Sequence, residues 1–275
     1  MPQDALAFQH IFSLKGSASQ SPCPWCSNCM YRVPYFDDDS GFAHIICPDT
    51  SKFTKHTNDT FFMMVNELET IDDKKLLAEK EKKYGLNYQP SELLWCGEVR
   101  KHLRFPYIVY WDHMHCLTAS GGIAQHMVNQ IVLRFSHKLK MPIAAWDDFH
   151  RKLQGIQPPL RKDFFQTRIV NRPRANFKAF ASDCLAAMDV IGLWLLTVPG
   201  MDDCPPLEGE IRCFWHMFTI IQILRRGNIA DLPRLKKEIE EHHRLYFKVF
   251  PAWFEAQTPL PVAYPGLLGS LAIFD

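Results

Sequence analysis

Between Cys184 and Val198 the chain runs for 15 residues in which Asp189 is the only charged side chain. A helix that is apolar on every side has to be covered on every side. This one is too short to cross a bilayer, whose hydrocarbon core takes about 20 apolar residues. The segment therefore predicts a core helix, within an apolar stretch from Ala175 to Val198, and the rest of the chain must provide its cover. Several helical segments are available. Ile123 to Lys140 places Ile123, Met127, Ile131 and Phe135 at four-residue steps. Ile211 to Arg226 has apolar positions almost all round. Leu232 to Phe250 follows Asp231, a good N-cap, and carries Pro233 in its first turn.

Upstream the pattern is mixed. Ala5 to Leu14 reads as a short helix stopped at Lys15-Gly16. Phe42 to Cys47 is short and apolar enough for a strand. Thr57 or Asn58 can cap a helix through Glu69, and a charged continuation from Asp72 to Tyr84 has Gly85 as its C-cap. Pro106 precedes Tyr107-Ile108-Val109-Tyr110-Trp111, a β-branched and aromatic run that reads as a buried strand. Pro251 to Asp275 has no clear period. The expected class is α+β, mostly helical. The expected segments are 1–55, 56–250 around the central strand 107–111, and an irregular tail at 251–275.

Composition agrees with a folded chain. Of 275 residues, 47% are hydrophobic and 22% charged, which permits a sizeable core and argues against disorder along the whole length. Nine cysteines, an odd count, do not suggest a secreted disulfide framework. The first residues lack a basic region followed by an apolar run, so no signal peptide is expected. An intracellular protein, nuclear or cytoplasmic, without a membrane partner, is the expectation.

Cys23-Pro-Trp-Cys26 is followed, after 17 residues, by His44-Ile-Ile-Cys47. Two-residue gaps let one tight turn present two ligands from the same side, and two such pairs can close a tetrahedron around Zn²⁺. Cys23, Cys26, His44 and Cys47 are therefore the expected structural zinc set. Cys29, at the same spacing from Cys26, could replace one of them. A redox C-x-x-C would be expected within a βαβ pattern, which is absent. Cys96, Cys184 and Cys213 are isolated and read as buried thiols.

Three further groups stand out. Asp112 and His115 follow the strand at 107–111; a helix starting at Asp112 would put both on one face. On spacing alone, Asp112 as a cap and His115 as an interior histidine is the simpler reading. Net charge divides as −4 over residues 1–100, +7 over 101–200 and −2 over 201–275. The basic middle contains Arg161, Lys162, Arg168, Arg172, Arg174 and Lys178, interleaved with Phe164, Phe165 and Phe177. Such cations neutralise phosphates, and aromatics can stack on bases. An amphipathic surface with its phenylalanines in the core explains the pattern at least as well. Glu238, Glu240, Glu241, His242 and His243 read as the solvated face of a helix.

Taken in order, these features resemble the transposases of CACTA-type (En/Spm-like) cut-and-paste DNA transposons. In that family a catalytic aspartate precedes a short helix, a glycine and a C-P-x-C knuckle. Here Asp4, Ala5 to Leu14, Lys15-Gly16 and Cys23-Pro24-Trp25-Cys26 follow that order. The family then carries an acid-or-cysteine-x-x-His motif after a strand and before a Gly-containing helix. Asp112-His113-Met114-His115 and Gly121-Gly122 match it. The resemblance spans roughly residues 4–250 at the level of motif order.

The resemblance implies an RNase H-like core interrupted by a helical insertion, and phosphoryl transfer at DNA ends. It implies Mg²⁺ as cofactor, held by three carboxylates where the site is complete. By position, Asp4 matches the second catalytic acid, and Asp112 and His115 match the acid-x-x-His motif. Glu240 is the expected last acid, with Glu238, Glu241 and Glu210 as alternatives. Arg168, Arg172, Arg174 and Lys178 are the expected DNA contacts. DNA ends are the implied partner, and a second copy of the chain is a further one. The family's first aspartate would lie on an earlier strand, so the expectation is a transposase fragment that does not cleave DNA by itself. A zinc-stabilised helical interaction protein without a DNA role is the alternative.

Overall fold

The structure, a computed structural model, describes residues 12–15, 19–21, 26–27, 30–34, 42–46, 52–105, 114–119, 122–153, 155, 159–169, 179–198, 200 and 204–250. The chain divides into two compact units, Met1–Asp112 with Ala256–Asp275, and His113–Glu255. Helix dominates the described residues, as the sequence leads one to expect.

In the first unit, strands β1 (Met30–Pro34) and β2 (Phe42–Ile46) form an antiparallel pair in which Arg32 sits opposite His44. Helix α1 (Asn58–Glu69) starts at a reciprocal cap. The Thr57 hydroxyl accepts from the Thr60 amide at 3.1 Å, and the Thr60 hydroxyl accepts from the Thr57 amide at 2.8 Å, which satisfies two end groups at once. Phe61, Val65 and Leu68 recur at helical spacing and are buried. They join Phe12, Leu14, Cys26, Leu86, Leu94, Trp95 and Phe105 in one apolar cluster, in which Phe61 and Phe105 stack with ring centres 3.8 Å apart.

Helix α2 (Lys74–Tyr84) begins at Asp73, whose carboxylate accepts from the Leu76 amide at 2.7 Å. It ends at Gly85, with φ +74°. A Cβ there would lie 2.1 Å from the Ser21 carbonyl oxygen, so both the backbone angle and the close approach require glycine. A short helix, α3 (Gly97–Arg100), follows.

One expectation fails in this unit. The helix read over Ala5 to Leu14 does not reach its end: Phe12 and Ser13 turn, Ser13 with φ 52°, and Leu14 bridges Leu86. The Lys15 amide donates to the Gly85 carbonyl at 2.8 Å and the Asn87 amide to Ser13 at 2.7 Å. Lys15 Nζ completes the junction, donating to Glu81 at 3.0 Å and Asn87 at 2.7 Å. Partners about seventy residues away outweigh local helix preference. Residues 5–11, the strand read at 107–111 and the tail at 251–275 lie outside the described residues.

The second unit begins with a single wide turn, a π-helix, at Met114–Thr118. It continues with α4 (Ile123–Leu139), α5 (Ala144–Lys152), α6 (Phe164–Arg168), α7 (Ala181–Thr197), α8 (Glu208–Arg226) and α9 (Leu232–Val249). The apolar segment read first from the sequence is α7, with nine buried residues from Cys184 to Leu195. At Gly192 a Cβ would come within 3.3 Å of the Phe218 ring, so α7 and α8 cross closely because that position has no side chain. Cover is incomplete: Leu193 and Leu196, near the C-terminal end of α7, are 38% and 68% exposed. No helix among the described residues is long and apolar enough to cross a membrane.

An aromatic centre ties α4, α5, α6 and α7 together. Trp146 is fully buried. Its ring lies 5.5 Å from Phe135, 4.7 Å from Trp194 and 6.1 Å from Phe165, centre to centre. Helices α8 and α9 form a hairpin through Gly227, with φ 64°, and a 3₁₀ turn at Ile229–Asp231. Asp231 stands at the N-cap of α9 but its side chain makes no capping hydrogen bond; Pro233 lies in the first turn as expected.

Candidate functional site

Of the expected zinc set, Cys26 is the ligand whose side chain falls among the described residues. It is buried, 1% exposed, and bridges Lys55 through its backbone. The neighbouring Ser27 amide donates to the Thr54 carbonyl at 2.9 Å, and the Ser27 hydroxyl to the same oxygen at 3.2 Å. His44 lies in β2, in register with Arg32. Cys23, Cys47 and the alternative Cys29 lie outside the described residues. Among the described residues no group of three or more histidine, cysteine or acidic side chains could hold a metal ion. Three thiolates and one imidazole are a donor set that suits zinc.

The other cysteines separate by burial. Cys184 and Cys213 are buried, and burial raises both thiols above the ordinary range. A neutral thiol is a poor nucleophile, so neither is placed for reaction. Cys96, expected to be buried, is exposed: it stands between the Leu93–Trp95 turn and α3 while Leu94 and Trp95 enter the core.

The expected catalytic carboxylates are described only in part. Asp4 and Asp112 lie outside the described residues, and His115 sits in the wide turn at 114–118. That turn is fixed from outside. Gln125, on α4 and fully buried, donates to the Thr118 carbonyl at 2.9 Å and to the Ala179 carbonyl at 2.6 Å.

The four glutamates proposed for the last acid differ sharply. Glu210 is buried and accepts from Lys138 Nζ at 2.8 Å, with Arg134 at 3.9 Å. Glu238 is half-buried and 2.7 Å from His216 Nδ1. Glu241 pairs with Arg244 at 2.5 Å, and that hydrogen bond holds its carboxyl below the usual range. Glu240 is exposed on α9. The two histidines beside this group contradict the solvated-face reading: His242 and His243 are 0% and 1% exposed. Burial pushes His242 well below the usual imidazole value, and His243 and His216 nearby add to the shift. The reason is the geometry of α9, which packs along α8 and turns these positions inward, with Tyr246 5.7 Å from the His242 ring.

The basic stretch is described through Ile169. Arg161 and Lys162 are exposed and Arg168 is half-exposed on α6; Arg172, Arg174, Lys178 and Phe177 lie outside the described residues. Phe164 and Phe165 are buried, 2% and 0% exposed. They are core residues, so base stacking is not available to them.

Sequence reasoning missed the side chain that holds this stretch. Asp147, on α5, is 0% exposed, and its carboxylate accepts from the Phe165 amide at 2.8 Å and the Gln166 amide at 3.1 Å. The available signal was Trp146 and Phe149 at helical spacing within Ala144–Lys152, which marks an amphipathic helix. Nothing in the sequence marks Asp147 over the adjacent Asp148, which is exposed and pairs with Arg151.

No protein-family model, curated protein or solved structure matches this chain.

Proposed function

We propose that this chain is a transposase-derived DNA-binding protein, related to cut-and-paste DNA transposition. The observation that carries the reading is the order of motifs along the sequence: Asp4 before the C-P-x-C knuckle, then Asp112-x-x-His115, then a glutamate-rich helix. The concentration of positive charge in the middle third supports it. So does the exposure of Arg161 and Lys162 beside a buried pair of phenylalanines, because cations held at a surface can meet phosphates without first being ordered.

The structure bears on the last acid. Lys138 occupies Glu210, His216 occupies Glu238 and Arg244 occupies Glu241. A magnesium ligand needs its oxygens available to a hard cation. Among these four, the exposed Glu240 fits best. Magnesium held by such a carboxylate would supply charge to a phosphoryl group, and by the resemblance Asp112 and His115 would order the site.

The test is binding of a DNA duplex across a range of salt. Binding that weakens steeply as salt rises, and that drops when Arg168, Arg172 and Arg174 are changed together to alanine, is the expected result. No binding at low salt refutes the reading and favours a zinc-stabilised helical interaction protein. That second reading draws on the Cys26 burial and the cysteine spacing. It expects about one zinc per folded, reduced chain, by the four-ligand count; metal analysis finding none would dismiss it.

A further inference from the structure

We propose that Asp147 is the positioning residue of the basic segment: its carboxylate fixes α6 to α5 and so holds Arg161, Lys162 and Arg168 together with Arg151 and Lys152 as one polyphosphate-binding surface. The inference rests on the DNA reading above, and adds to it one anchoring residue and two further cations.

Helix α6 is five residues long. A helix of that length cannot hold itself in water, because the ordering cost of its first turn exceeds what its few internal bonds return. Its position must be fixed from outside, and two contacts do so. Phe164 and Phe165 are buried. The Asp147 carboxylate receives two amides of the first turn, at 2.8 and 3.1 Å. A carboxylate there also meets the positive end of the helix, and hydrogen bonds to a charged acceptor are stronger than neutral ones.

Asp147 is itself enclosed by packing. It has no exposure to water, and its neighbour Trp146 is wedged against Trp194 and Phe165. A buried carboxylate has to be compensated inside the protein. Here backbone amides compensate it, and Arg161 and Lys162 remain exposed. Arg151 and Lys152, at the end of the same helix as Asp147, are exposed too, Arg151 with Asp148 as a local partner. One buried side chain thus couples basic residues on either side of the loop between α5 and α6. Cations fixed in advance lose less entropy on meeting a phosphate backbone than cations on a loose strand.

The test compares the full-length chain with Asp147→Ala and Asp147→Asn. Asparagine keeps one acceptor oxygen for the Phe165 amide but sets an amino group against the Gln166 amide. Three properties are measured: the rate of limited trypsin cleavage after Arg161, Lys162 and Arg168, the cooperativity of unfolding, and affinity for a DNA duplex at low salt. For Asp147→Ala, cleavage at those three sites should rise about tenfold and DNA affinity fall about tenfold, as expected for loss of a helix-capping acid. Asp147→Asn should be intermediate in both, with cooperative unfolding retained. Unchanged cleavage overturns the inference, as does faster cleavage with unchanged DNA affinity. If Asp147→Ala fails to fold, Asp147→Asn decides by the same two criteria. Equal DNA affinity in variant and parent leaves the DNA reading standing without Asp147. No binding by the parent chain overturns the DNA reading itself.

Discussion

Helices α4 and α7 are each 17 residues long, lie in the same unit, and are both deeply buried. They reach that state by different means. The nine buried residues of α7 are apolar or small, and no side-chain hydrogen bond is needed to keep them dry. The twelve buried residues of α4 include Gln125, His126, Asn129 and Gln130. For α7, burial follows from the hydrophobic effect and can be foreseen from composition. For α4, burial depends on partners supplied by other parts of the chain, because a polar group loses its water only against a replacement. Gln125 shows the replacement directly: it clamps the wide turn at Thr118 and the approach to α7 at Ala179.

The largest expected effect breaks the apolar side of this comparison. Trp146→Ala should destabilise the unit by about 3–5 kcal/mol, since the indole fills the space between Phe135, Phe165 and Trp194. Denaturant unfolding measures it; a loss near zero would show that the aromatic centre is not where the unit's stability lies. Next in size, Gln125→Ala should cost about 1–3 kcal/mol, the penalty for leaving the buried Thr118 carbonyl without its donor. A cost near zero would mean that α4 is held by its apolar residues alone and that the two helices do not differ in kind.

Polar burial of the α4 kind recurs at His242 on α9, and there it carries a pH signature. The folded state holds this imidazole's pKa well below its unfolded value of about 6.5. The unfolded chain therefore binds the extra proton first. The stability due to His242 is complete above pH ~6.5 and is lost as pH falls toward the lowered folded value, by up to about 1.4 kcal/mol per pH unit. His216 and His243 face it and oppose a second positive charge. His242→Phe should flatten the dependence of unfolding free energy on pH as pH falls below about 6.5; an unaltered slope would assign the effect to another group. The smallest effect is at the surface. Glu241→Gln breaks the pair with Arg244, and such exposed pairs contribute about 0.5 kcal/mol or less.

The same contrast explains what the sequence disclosed. Helices that carry their own signals were legible: α1 with its cap at Thr57, α2 with its glycine stop at Gly85, and α7 and α8 with their apolar runs. The turn at Phe12-Ser13 was not, because Leu86, Gly85 and Asn87 decide it from about seventy residues away. His242 and His243 were misread as solvated, since two adjacent histidines among glutamates look polar until α8 is packed against them. Among the proposed site residues, Glu240, Arg168 and Cys26 are placed, and the burial of Phe164 and Phe165 follows the amphipathic reading. Asp147 was invisible for the reason Gln125 was: its role lies in two amides of another helix and not in its own neighbourhood.

The central claim, that the basic middle of the chain meets DNA phosphates, is tested most directly by the salt slope of binding. Equilibrium affinity for a DNA duplex is measured over a series of salt concentrations for the parent chain and for the chain with Arg168, Arg172, Arg174 and Lys178 all changed to alanine. If each of the four neutralises one phosphate, the slope of log affinity against log salt should shrink by about 3.6. A parent chain that binds with no salt dependence, or a quadruple variant whose slope matches the parent's, would contradict the account.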